Sequence, residues 1–353
     1  MVCSVPVLLT VSDVMKPDMI TRMAPTWQGE NWQKALSGAI RDPQELLQLL
    51  DLPISLLPAA RRAAQLFPLC VTRSYLSRIE PANPRDPLLL QVLPLLAEQA
   101  ETEPGYSRDP VGDLAANPLP GLIHKYHGRV LLISTGACAI HCRYCFRRHF
   151  PYSEDSSSPG QMRQIIDYIQ ADTSIEEVIL SGGDPLSLSN SRLRALGEQL
   201  CTIPHLRRLR IHTRMPIVLP ERIDKGLLAW LQSIPVQAIM VLHCNHEREI
   251  DQNVRQATHR LAGTGLTLLN QAVLLRDIND SVAALKALSE GLFESGILPY
   301  YLHQLDKVTG ARHFEVPDAD AMSLIKQLSK QLPGYLVPRL VRETAGAGAK
   351  GLL

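Results

Sequence analysis

Three cysteines, Cys138, Cys142 and Cys145, fall within the segment GACAIHCRYCFRRHF (136–150), spaced C-x3-C-x2-C. Thiolates favour soft metals, notably zinc and iron–sulfur clusters. A closed structural zinc site takes four ligands, and no partner C-x2-C pair occurs elsewhere in the chain. Zinc completed by His141 or His149 stays open as a reading, as do three unliganded cysteines of a core. The tight spacing fits best a [4Fe–4S] cluster held by three thiolates. One iron then keeps a free coordination position, where a substrate or cosubstrate can bind.

Such residues need a scaffold, and the chain has a repeating one. Apolar strand-like runs occur at RVLLIST (129–135), EVILSGG (177–183), RRLRIHT (207–213), QAIMVLHC (237–244), LTLLNQAVLL (266–275), LPYYLHQL (298–305) and YLVPRLV (335–341). Amphipathic segments such as QMRQIIDYIQA, SRLRALGEQL and SVAALKALSEGLFES lie between them. Strand–helix alternation implies parallel pairing with right-handed crossovers. Six or seven units of this kind predict an α/β fold, a closed or partly closed barrel, with active residues beyond the carboxyl ends of the strands. Polar residues follow almost every run: Cys138, then Gly182, Gly183 and Asp184, then Arg214, His243 with Asn245, Arg276, Asp306, Glu343 and Lys350. Their shared position at one rim makes them a candidate site.

The region before the barrel reads differently. From Trp27 to about Glu103 the apolar spacing is helical, with Asp42 placed to cap a helix that Pro43 opens. PAARRAAQLFPL and DPLLLQVLPLLAEQA continue in that style, and EPGYSRDPVGDLAANPLPG reads as a boundary loop. The expected division is a disordered leader over 1–26, a helical region over 27–119 and the barrel over 120–353. The leader has a short apolar run without basic residues ahead of it, so it reads neither as a signal peptide nor as a membrane span. Seven cysteines with one tight cluster argue against a secreted disulfide framework and for a reducing cytoplasm. A formal net charge of +1 gives no field for nucleic acid or an anionic membrane.

C-x3-C-x2-C after a strand resembles the signature of radical S-adenosylmethionine enzymes. SGGDPL (181–186) is similar to their glycine-rich element, which meets the methionine amino group of the cosubstrate. Read as residues alone, Gly182 and Gly183 let backbone approach a ligand closely, while Ser181 and Asp184 offer acceptors. The resemblance narrows further. HKYHGRVLLIST, CRYCFRRHF, LSGGDPL, RIHTRMPIVLPERI, LLNQAVLLRDIND, PYYLHQLDKVTG and GYLVPRLV look like consecutive landmarks of the lysine 2,3-aminomutase family, from about residue 120 onward. That likeness implies a partial TIM-like (β/α)6 barrel. It also implies a [4Fe–4S] cluster on Cys138, Cys142 and Cys145, S-adenosylmethionine on its open iron, a low-potential electron donor, and pyridoxal 5′-phosphate held on a lysine.

Lys350, in ETAGAGAKGLL, matches that lysine. Lys125, Tyr126 and Arg129 match the segment near the cofactor, and the Arg129 guanidinium suits a phosphate. Arg147 matches the partner of the substrate carboxylate; for Arg148 and His149 a solvent-facing place stays open. Asp306 and Glu343 match the two acids that receive a lysine side-chain ammonium, Glu343 standing where the family commonly has aspartate. The implied reaction is amino migration from carbon 2 to carbon 3 of lysine, giving β-lysine. DPQELLQLL, the segment from Arg85 to Asp113 and the short end after Lys350 resemble the bacterial branch whose product a ligase attaches to elongation factor P. An aminomutase for another amino acid, a radical enzyme without pyridoxal phosphate and a zinc-binding interaction protein are the other readings. Paired acids speak against a substrate with an acidic side chain.

Overall fold

The computed structural model describes residues 31–99, 104–152 and 159–353; the leader expected over 1–26 lies outside them. The N-terminal part holds α1 (Trp32–Ser37), α2 (Pro43–Leu49), α3 (Leu57–Leu66), α4 (Arg73–Leu76) and α5 (Pro87–Leu90). Asp42 caps α2 by accepting from the Gln44 amide at 3.0 Å, with Pro43 at the first helical position where no amide is needed. DPLLLQVLPLLAEQA is not one helix. α5 ends at Leu90 and a 3-10 turn follows at Leu96–Gln99, because Pro94 between them cannot continue a helical hydrogen-bond ladder.

The barrel follows, its strands and helices alternating from β2 on apart from the helix pair α8 and α9: β1 (Leu122–Tyr126), β2 (Arg129–Thr135), α6 (Pro159–Ala171), β3 (Glu177–Gly182), α7 (Asn190–Leu200), β4 (Arg208–Thr213), α8 (Met215–Val218) and α9 (Lys225–Gln232). Then come β5 (Gln237–Leu242), α10 (Gln252–Ala262), β6 (Thr267–Val273), α11 (Val282–Glu294), β7 (Leu298–His303), α12 (Asp318–Leu328), β8 (Arg339–Arg342) and β9 (Gly351–Leu352). Among the described residues nine strands pair in chain order, and β2 through β8 are all parallel. Six β/α units and a seventh parallel strand therefore build the partial barrel.

Both edges carry an antiparallel strand that the periodicity does not announce. β1 folds back on β2 through a turn at Gly128 (φ 77°). β9 folds back on β8, pairing Arg342 with Gly351 and Val341 with Leu352. YLVPRLV is shorter as a strand than expected. Gly334–Leu336 is a 3-10 turn and the ladder begins only after Pro338, which has no amide to give it.

One apolar cluster runs from Trp32, Leu46 and Leu88 in the N-terminal helices through Leu132, Leu180, Ile211 and Met240 of the strands to Leu340. The N-terminal helices thus share the core of the barrel. Among the described residues no helix is long and apolar enough to cross a membrane.

Candidate active site

Alternate residues of the strands point to the barrel interior, as a two-residue period requires. Arg129 and Leu131 of β2, Ile179 and Ser181 of β3, Arg210 and His212 of β4, and Tyr301 and His303 of β7 line one cavity of about 660 Å³. The same cavity is lined by Cys138, Cys142, Cys145, Lys125, Tyr126, Arg147, Gly182, Gly183, Asp184, Asp306, Glu343 and Lys350. Every residue singled out for cluster, cofactor or substrate therefore opens onto a common space. Arg276 does not; it is exposed and donates from Nε to the Glu315 carbonyl at 2.9 Å. Asn245 is buried behind the wall, where its side chain accepts from the Val273 amide at 2.9 Å.

The cysteine loop leaves β2 at Gly136, where an added Cβ would lie 2.7 Å from the Tyr152 Cβ. Two buried arginines of the loop anchor it to the N-terminal part. Arg143 donates from Nε (2.9 Å) and Nη2 (2.5 Å) to Glu98, and Arg148 donates to the same carboxylate at 2.7 Å. Arg148 does not face solvent: its side chain is about 1% exposed. An isolated buried charge is costly, so two guanidiniums on one carboxylate fix the loop firmly.

The cysteine side chains are only half-buried, facing the cavity. Burial pushes the Cys138 thiol well above its ordinary value and the Cys145 thiol up to about 11, with the neighbouring cysteines adding to both. Metal binding by such thiols releases protons. Each of the two histidines that could complete a zinc site has one ring nitrogen engaged by a backbone carbonyl. His141 Nδ1 lies 2.8 Å from the Pro68 carbonyl and its ring stacks on Phe67, while His149 Nε2 faces the Thr309 carbonyl.

The glycines of SGGDPL serve backbone contact within the protein. A Cβ on Gly182 (φ 113°) would stand 2.6 Å from the Thr135 carbonyl, and one on Gly183 would stand 2.4 Å from the Ala137 carbonyl. Without side chains the two segments join directly: the Gly183 amide donates to Thr135 (2.7 Å) and the Asp184 amide to Ala137 (2.8 Å). Asp184 itself has all four lone-pair positions filled. Thr213 Oγ1 and the Leu186 amide donate to Oδ1, and the Arg214 and Met215 amides to Oδ2. It ties the ends of β3 and β4 together. The sequence offered it as a ligand acceptor; its bonding is that of a brace.

A chain of alternating charge lines the same cavity. Arg147 donates from Nε to Asp113 Oδ2 at 2.7 Å, and Asp113 Oδ1 pairs with Lys125 Nζ at 2.5 Å. Lys125 Nζ also lies 3.0 Å from Glu343 Oε1, whose other oxygen is 2.9 Å from Lys350 Nζ. Arg147 Nη1 reaches Ser181 Oγ at 3.2 Å. Burial alone would raise the Glu343 carboxyl, but Lys350 and Lys125 outweigh it and hold it at about 2. Asp113 behaves likewise: burial opposes ionisation and Arg147 with Lys125 overcome it. Arg129 stands apart, its guanidinium 4.7 Å from the Tyr126 ring centre, and among the described residues no carboxylate pairs with it.

Among the described residues Asp306 has no cation in contact. Burial, then repulsion from Glu343, pushes its carboxyl from 3.8 up to about 7. An acid raised in this way holds its proton more tightly when folded. The stability it contributes is complete below the unfolded value and is lost as pH rises through the folded one. Asp306→Asn is therefore expected to raise the melting temperature of the ligand-free protein at about pH 8 and to change it little at about pH 4. Thermal melts followed by circular dichroism check this; an equal effect at both values would show that Asp306 does not titrate in that window.

Asp113, the hub of the charge chain, was not visible beforehand. It lies in the loop read as a boundary, and nothing in GYSRDPVGD separates a buried hub from a turn aspartate.

Residues 132–230 match the sequence model of the Radical SAM superfamily. A Haemophilus influenzae protein named L-lysine 2,3-aminomutase is 47% identical, the alignment covering 92% of this chain and 95% of that protein. An Escherichia coli protein of the same name is 46% identical, covering 91% and 94%. One from Clostridium subterminale is 35% identical, covering 92% of this chain and 77% of its own.

Proposed function

This chain belongs to the lysine 2,3-aminomutase family of radical S-adenosylmethionine enzymes, and from that membership we propose that it converts lysine to β-lysine with pyridoxal 5′-phosphate and so supplies elongation factor P modification. The observation that carries the reading is the single cavity shared by the cysteine triad, Lys350 and the two acids Asp306 and Glu343. Radical transfer and amino migration both need reactants held in contact and shielded from water.

The donor set suits each implied group. Three cavity-facing thiols can take three irons of a [4Fe–4S] cluster, and S-adenosylmethionine on the fourth supplies, when bound, the carbon radical that opens a substrate C–H bond. Pyridoxal phosphate, when bound, supplies a conjugated system through which nitrogen can pass between neighbouring carbons. For that group Lys350 offers an amine at the cavity and Arg129 a guanidinium free for phosphate, with Tyr126 beside it.

The chain's own residues then do the positioning. Arg147 is held in orientation by Asp113 and presents its remaining donors to the substrate carboxylate. Glu343 and Asp306 receive the side-chain ammonium. Lys125 and Lys350 both pair with Glu343, so a substrate ammonium that takes the place of Lys350 leaves Glu343 still holding Lys125. The link to elongation factor P rests on the likeness of DPQELLQLL and of the segment from Arg85 to Asp113 to that bacterial branch.

Anaerobic incubation of cluster-reconstituted protein with lysine, S-adenosylmethionine and a reductant is expected to give β-lysine, and only when pyridoxal phosphate is present. Product that forms equally well without pyridoxal phosphate would overturn its assigned part. Turnover of an acidic amino acid in preference to lysine would overturn the pairing of Asp306 and Glu343 with an ammonium. A second arm offers the product to a ligase acting on elongation factor P; failure to attach it removes that role alone.

A further inference from the structure

Arg214 lies just past β4, buried, and its side chain reaches behind the cysteine loop. Nη1 donates to Cys142 Sγ at 2.6 Å and to Tyr144 Oη at 2.7 Å. Nη2 donates to Gln91 Oε1 at 2.6 Å and to Glu249 Oε2 at 2.8 Å. The Arg214 amide is fixed on Asp184. Glu249 is fully buried and is the counter-charge. A guanidinium with this many fixed partners has no freedom to turn away from the sulfur.

We propose that Arg214 sets the reduction potential of the cluster through Cys142, with Glu249 as the positioning residue that partly cancels its charge. The inference rests on the assignment of the cysteine triad to a [4Fe–4S] cluster. On reduction the cluster takes one electron from the external low-potential donor, going from the 2+ to the 1+ state, and the added charge spreads onto its sulfurs. A cationic N–H beside a ligand sulfur stabilises the reduced state more than the oxidised one, which raises the potential. A carboxylate behind that cation works the other way. The two residues therefore act with opposite sign on one measurable quantity. Gln91, from just past the end of α5, brings the N-terminal part into the same network.

The test is an anaerobic, EPR-monitored redox titration of the reconstituted protein and two variants, with iron content and circular dichroism as controls. Arg214→Gln is expected to make reduction about tenfold less favourable, a shift of about 59 mV to more negative potential for a one-electron couple. Glu249→Gln keeps the shape and the hydrogen-bonding side chain but uncovers the Arg214 charge, and is expected to shift the midpoint the other way. Arg214→Lys restores part of the loss, since it keeps the charge without the fork. A merely structural lesion does not produce shifts of opposite sign. Midpoints unchanged in both glutamine variants, or moving in the same direction, would overturn the inference. Where Arg214→Gln does not retain iron, the sign of the Glu249→Gln shift decides it. Absence of iron and sulfide from the unsubstituted protein would instead sink the cluster assignment beneath it.

Discussion

Lys350→Ala is expected to abolish covalent attachment of pyridoxal phosphate and to lower the rate of lysine isomerisation by roughly a thousandfold or more, about 4 kcal/mol of barrier. The fold should survive. Lys350 follows a loop in which Gly346 adopts φ 76° and precedes the two-residue strand β9, whose pairing with β8 is through backbone. Glu343 would lose one of its two cations but keep Lys125 at 3.0 Å. The variant therefore does not strand a buried carboxylate, and the loss reads on chemistry. Lys350→Arg sharpens the point, since it retains the charge beside Glu343 but cannot form the bond. Borohydride reduction followed by peptide mapping locates the attached cofactor. A label on another lysine, or one that persists in Lys350→Ala, would remove Lys350 from its role while leaving the cluster reading untouched.

What could be read in advance was what depends on neighbours in sequence. Strand–helix alternation gave the parallel order of β2 to β8, because each βαβ unit is local in the chain and its handedness is fixed. The cysteines and the SGGDPL glycines were visible for the same reason, their spacing being short. What could not be read depends on partners far apart. Lys125 meets Glu343 across 218 positions and Arg143 meets Glu98 across 45. Asp113 could not be told from a turn residue until both of its cations were in place, nor could Arg148 be told from a solvent-facing arginine before Glu98 was found beneath it.

The glycines show a subtler gap. Their presence was informative, yet the reason offered for them was approach to a ligand. The contacts that require them are with the Thr135 and Ala137 carbonyls, which lock the glycine-rich segment to the start of the cysteine loop. The edge strands went unread on different grounds. β1 carries the polar sequence HKY at its end, and β9 is only two residues long; neither has enough alternation to mark it.

Cys142→Ala is expected to cause the second large loss: no stable cluster, and lysine isomerisation down by about 10⁴-fold or to background. Two thiolates cannot hold the cluster with a defined open iron. The protein itself should remain folded, with stability changed by no more than about 1 kcal/mol. The loop does not depend on its sulfurs for shape. The His141 amide donates to the Cys70 carbonyl at 2.9 Å, the Arg143 amide to the Gln91 carbonyl at 2.9 Å, and Arg143 with Arg148 grips Glu98. Arg214 loses one acceptor but keeps Glu249, Gln91 and Tyr144, so no buried cation is orphaned. Iron and sulfide analysis, EPR of the reduced protein and product formation then report on the metal alone. A Cys142→Ala protein that still binds iron in the parent's stoichiometry and still forms β-lysine would mean that the free iron position, and with it the radical chemistry assigned to this cavity, is built from other residues.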